Sequence, residues 1–146
     1  EMAAFHKERG RSLLQALEEL SRKHGYFRED LVSMELEDME KAGEIMRAYN
    51  ALPSEVAGER VIEKRDYEQG KSWDLLTGEE RPVELPRSKV LFYRLESGAW
   101  FCIRPSGTEP KIKLYFSVSA ASAAAAEAKL KSLKEELLQL SGTTLR

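Results

Sequence analysis

The side chains that most often carry catalysis or bind metal are scarce in this chain. Its 146 residues include two histidines and one cysteine. A single thiol, Cys102, excludes an internal disulfide and suits a reducing cytoplasm. His6 and His24 fall in helical stretches without a paired ligand or nucleophile. No Asp-x-Asp-x-Asp occurs, and the carboxylates of ELEDMEK sit beside a helix start, where capping is their natural role. No residue is therefore assigned as catalytic and none as a metal ligand. An excess of one charge is missing too. Lys and Arg number 23 against 25 Asp and Glu, a formal net charge of −2, which argues against nucleic acid or an anionic membrane as partner. No apolar run approaches the length of a membrane span, and no signal-peptide pattern appears.

What is present describes a globular domain with a core, at 42% hydrophobic and 33% charged residues. The chain opens at Glu1 without an initiator methionine and already in a helical pattern, so a fragment of something longer is expected. Residues 1–9 read as helix, interrupted by Gly10. SLLQALEELSRKHG reads as a second helix, with Ser12 and Gln15 as a capping box, a Leu13, Leu17 and Leu20 stripe, and Gly25 at its end. Alternation from Val32 predicts a strand. Asp38 then caps a helix that places Met39, Ala42, Met46 and Tyr49 on one face.

The pattern next becomes β. Residues 60–67 read as a strand, and residues 68–87 as a long polar connection around Trp73, whose environment stays open. KVLFYRLESGAWFCIR predicts a hairpin turning at Ser97-Gly98, with Trp100 in the core and Cys102 a buried structural thiol. KIKLYFSV alternates, with Ile112, Leu114, Phe116 and Val118 inward. Ser122 caps a last helix whose stripe is Ala126, Leu130, Leu133, Leu137 and Leu140, ended by Gly142. The expected fold is α+β: a β-α-β(4)-α antiparallel sheet with helices on one face, preceded by a short helical segment. Residues 1–25 are expected to be the last helices of a preceding domain and residues 26–146 the domain itself, with a hinge near Gly25 to Glu29.

CIRPSGTEPKIKLYF, from Cys102 to Phe116, breaks the β pattern. Two readings are open on its residues. In one it is only a turn, with proline and glycine as punctuation and hydroxyls bonding local backbone. The chain is then a non-catalytic interaction module whose sheet face or final helix meets a protein. In the other it is an anion cradle. A phosphate carries about −1.5 to −2 charge and several strong acceptors. Arg104 offers a planar charged fork, Ser106 and Thr108 offer hydroxyls, and Gly107 admits backbone N–H groups without a Cβ in the way. Lys111 and Lys113 add positive field, while Glu109 turns away to brace the loop.

RPSGTEPK, Arg104 to Lys111, resembles the phosphate-binding loop in the last domain of the α-D-phosphohexomutases, the phosphoglucomutase/phosphomannomutase family. EMAAFHKERGRSLLQALEELSRKHGYF resembles the helices ending that family's third domain. RDY and the context GAWFCIRPSGTEPKIKLYF resemble its fourth, and WDLLTGEE leans toward bacterial glucose-type enzymes. The resemblance implies a TATA-binding-protein-like domain that acts as a mobile lid. It would hold the non-transferred phosphate of a phosphosugar while hexose 1-phosphate and hexose 6-phosphate interconvert. It carries over Arg104, Ser106, Gly107 and Thr108 as phosphate contacts and Lys111 as a source of field. It implies the other domains of the same chain as partners, and Mg2+ and glucose 1,6-bisphosphate as cofactors of the whole enzyme. The family's phosphoserine loop, metal loop and Gly-Glu-x-Ser-Gly sugar loop are absent here, so no cofactor is expected in this chain and no catalysis by it alone.

Overall fold

A computed structural model describes residues 1–142. The elements are α1 (Met2–Glu8), α2 (Leu13–His24), β1 (Tyr26–Glu35), α3 (Met39–Asn50), β2 (Glu55–Val56), β3 (Glu59–Asp66), β4 (Lys71–Asp74), β5 (Glu80–Pro82), β6 (Leu91–Leu95), β7 (Trp100–Pro105), β8 (Lys111–Ala120) and α4 (Ala123–Leu140). The sheet is antiparallel, in the order β1-β8-β7-β6-β3-β4-β5, and β2 pairs with β3 beside this path. The expected β-α-β(4)-α frame is β1, α3, β3, β6, β7, β8 and α4.

Period-two alternation sorts the sheet into two faces. Ile112, Leu114, Phe116 and Val118 of β8 share one face with Phe101 and Ile103 of β7 and Leu91, Tyr93 and Leu95 of β6. They meet Ile45 and Tyr49 of α3 and Leu130, Leu133 and Leu137 of α4 in one core. Two buried phenols lock the helices onto it. The Tyr49 hydroxyl donates to the Leu137 carbonyl at 2.8 Å, and the Tyr93 hydroxyl donates to the Tyr49 carbonyl at 2.6 Å. Burial pushes the Tyr49 phenol up to about 12 and raises Tyr93 as well, so both stay protonated donors.

The helix starts follow the sequence. Ser12 and Gln15 form a full capping box, the Asp38 carboxylate accepts from Lys41 N at 2.8 Å, and Ser122 Oγ accepts from Ala125 N at 3.2 Å. Among the described residues no helix is long and apolar enough to cross a membrane.

Several expectations are corrected. Residues 68–87 are not a structureless connection, because β4 and β5 form an added hairpin at the sheet edge. Trp73 lies in β4, where its indole N–H donates to Glu80 at 3.0 Å and Lys64 Nζ sits 5.3 Å from the ring centre. Trp100 is half-buried on the opposite face of the sheet, tilted against Phe92 at 5.7 Å, and is not part of the core. Cys102 shares that face and is also only partly buried. Met39 is exposed and Ile45 takes its place. Leu140 is exposed and Leu138 is buried instead. The first strand begins at Tyr26, six residues before Val32. Its inward positions Arg28 and Asp30 are charged, which hid the alternation. They reach salt-bridge partners on α4, Glu127 and Lys134.

Candidate functional site

β7 and β8 pair up to Pro105 and Ile112, and the five residues between β7 and β8 form a closed loop. Ser106 N donates to the Lys111 carbonyl at 2.8 Å, and Lys111 N donates to the Glu109 carbonyl at 2.8 Å. Leu36 N donates to the Pro110 carbonyl at 2.8 Å, which ties the loop to the end of β1. Ser106 Oγ accepts from Glu109 N at 3.2 Å and, at longer range, from Thr108 N at 3.4 Å. A hydroxyl that accepts these bonds still has its own O–H to donate. Gly107 has open space where a Cβ would sit, and its N–H has no partner among the described residues. The two prolines flank this arrangement and restrict its backbone.

The loop borders a cleft of about 570 Å3, a size suited to a small ligand. One wall is Arg104 to Gly107. The other is α3, through Ala42, Gly43, Met46 and Arg47, and the segment before β6, including Lys89, closes one end. Arg104, Arg47 and Lys89 are exposed, and none has a hydrogen-bond or ion-pair partner among the described residues. Asp66 also lines the cleft, but its carboxylate accepts from Glu68 N at 3.0 Å, Gln69 N at 2.9 Å and Gln69 Nε2 at 2.8 Å. Those bonds commit it to holding the turn after β3. The arrangement offers a fork, a hydroxyl and a backbone N–H to one anion.

Of the five residues singled out from the sequence, Arg104, Ser106 and Gly107 border the cleft together. Thr108 is exposed outside its lining, with its hydroxyl unpartnered among the described residues. Lys111 lies elsewhere, between Glu109 at 3.4 Å and Glu35 at 3.5 Å. These carboxylates, Glu109 foremost, hold its ammonium above the ordinary value. Glu109 turns from the cleft toward Lys111, as the loop-bracing reading expects. Arg47 and Lys89, which line the same cleft, were not singled out from the sequence. The available signal was Gly43, an unfavourable residue for a helix interior, one turn before Arg47.

A larger groove of about 750 Å3 runs between α2 and the start of β1. Its arginines are already paired, Arg11 with Glu19, Arg22 with Glu18 and Arg28 with Glu127, so it offers an anion little. Among the described residues no three His, Cys, Asp or Glu side chains cluster as a metal site.

Fold and site together define an α+β domain with a cationic cleft at the end of its sheet. Residues 31–136 match the phosphoglucomutase/phosphomannomutase C-terminal domain. The chain belongs to the phosphoglucomutase/phosphomannomutase family. It is 39% identical over 121 residues to a phosphoglucomutase of Staphylococcus epidermidis, covering 80% of this chain and 22% of that protein. It is 32% identical over 113 residues to the phosphoglucomutase of Staphylococcus saprophyticus, covering 75% and 20%. A probable phosphomannomutase of Haemophilus influenzae is 31% identical over 111 residues, with the same coverage. The chain thus spans about a fifth of the length of these relatives.

Proposed function

We propose that this chain is the phosphate-binding C-terminal domain of a phosphohexomutase that interconverts hexose 1-phosphate and hexose 6-phosphate. Its task is to hold the phosphate that is not being transferred. The carrying observation is the loop after β7, where Arg104, the free O–H of Ser106 and the unpartnered N–H of Gly107 border one cleft. Arg104 supplies charge and two parallel donors, Ser106 a short donor, and Gly107 close backbone approach. Thr108 joins from the rim when the loop closes on a ligand, and Lys111 contributes field. A loop that reads phosphate alone accepts either end of the sugar, which an exchange of phosphate between C1 and C6 requires.

Phosphoryl transfer depends mostly on positioning and charge stabilisation, and this cleft serves both. The transfer itself belongs to other segments of such an enzyme. Mg2+ would be held by other segments of that enzyme, and glucose 1,6-bisphosphate would serve the whole enzyme. Residues 1–25 are assigned to the neighbouring helical unit and residues 26–146 to the phosphate domain. The single free thiol suits a cytoplasmic setting.

In the active enzyme carrying this domain, Arg104→Ala should raise KM and lower kcat/KM by roughly 10²-fold, from a lost charge-assisted pair worth ~2 to 3 kcal/mol. Steady-state kinetics on hexose phosphate check it, and unchanged constants would overturn the proposal.

A further inference from the structure

The wall of the cleft facing the loop carries two cations that nothing in the RPSGTEPK motif includes. Arg47 projects from α3 and Lys89 from the segment before β6, and neither has a hydrogen-bond or ion-pair partner among the described residues. With Arg104 they bring three like charges to one cleft whose floor includes Ala42, Met46 and Leu91. Such charges repel one another and favour a counter-anion between them. Two carboxylates line the same cleft. Asp66 is committed to its own turn, and Glu68 stands exposed. The cations outnumber them.

Gly43 adds an independent observation. It lies inside α3, where glycine is unfavourable, and its φ is not positive, so backbone conformation does not demand it. Arg47 Nη1 lies 3.6 Å from where a Gly43 Cβ would be. The arginine therefore lies back along the helix over the glycine, as long helical side chains do. Both residues line the cleft. An added Cβ would meet the guanidinium at ordinary contact distance, so Arg47 rests directly over Gly43 beside the ligand space.

We infer that Arg47, assisted by Lys89, is a second arm of the anion site and grips from α3 the same phosphate that the Arg104 loop holds. This rests on the phosphate reading of that loop. The site is then a clamp between a helix and a β connection. Closing the two walls on a dianion satisfies cations that otherwise have no hydrogen-bond or ion-pair partner among the described residues, Arg47 having only a longer-range attraction to Glu44 on its own helix.

The test is an NMR titration of the isotope-labelled 146-residue chain with inorganic phosphate, each variant's fold checked by circular dichroism. Arg104→Met should weaken binding by about 10-fold or more, and Arg47→Met by about 5-fold. Lys89→Met should cost about 2-fold, as a more exposed point charge. Arg47→Lys should recover part of the loss, and Lys131→Met, on the outer face of α4, should change nothing. Loss in the Arg104 variant with Arg47→Met and Lys89→Met both equal to the parent would overturn the second arm and leave the loop reading standing. No phosphate shifts at Ser106 to Thr108 in the parent would overturn both. Loss in the Arg47 variant alone would put the anion on the helix and likewise overturn both.

Discussion

Ser106 combines two roles in one small side chain. Its oxygen accepts from Glu109 N and reaches Thr108 N, which shapes the loop, and its O–H remains for a ligand. Gly107 beside it has no conformational reason to be glycine. Its φ is not positive, and an added Cβ would meet nothing within 4 Å. The empty space matters only when something occupies it. Gly107→Ala should therefore leave the melting temperature within about 1 °C and weaken phosphate binding by about 10-fold. Calorimetry and titration of one sample check both halves, and unchanged affinity would remove Gly107 from the site. The sequence left two readings of the Ser-Gly-Thr core open, a plain turn and an anion cradle, and the resemblance of RPSGTEPK to a phosphate-binding loop favoured the second. Arg47 was not singled out there. Its neighbourhood marks it only indirectly, through Gly43 one turn before it, and only the packing of α3 brings it opposite the loop. Cys102 was read as structural, and burial pushes its thiol up to about 11, far from a reactive thiolate.

At the scale of elements, β1 and α4 form a charged strap over the core. Lys134 donates to Asp30 and holds that carboxyl below the usual carboxylate range, against the opposing effect of burial. A carboxyl lowered on folding stabilises at pH above its unfolded value. The gain fades as pH falls through the folded value. Asp30→Asn should therefore be less stable than the parent at pH 7, with the difference closing in strong acid, once pH has fallen through the lowered folded value. Denaturant melts at both pH values check this, and a difference independent of pH would refute the strap. The same strap explains why the start of β1 was missed. Its inward residues pair with a helix about a hundred positions later, so local alternation looked polar. The β4–β5 hairpin was hidden differently. Its strands are four and three residues long, too short for a period to show, and a turn closed by the Asp74 carboxylate and Gly78 holds them.

At the scale of the whole molecule, α1 and α2 stand apart from the core. They bury only Ala16, and Leu14, Leu17 and Leu20 stay more than half exposed. Residues 26–29 are paired with β8 through Ser117 to Ala120, so Gly25, at φ 101°, is the junction between the helices and the sheet. Removal of residues 1–25 should leave a folded domain whose melting temperature changes by less than about 5 °C, roughly 1 kcal/mol. Calorimetry of the truncated chain checks it, and loss of a cooperative transition would make the helices part of the same folding unit. The sequence by itself determined the order of the main elements, the inward face of β8, the helix caps and the loop's chemistry, because each rests on spacing within a few residues. Only the tertiary structure decided that Trp100 and Cys102 face away from the helices, that Asp30 is inward but paired, and that Arg47 and Lys89 share a cleft with Arg104. Those facts depend on which surfaces meet when distant segments pack, and no local period records that.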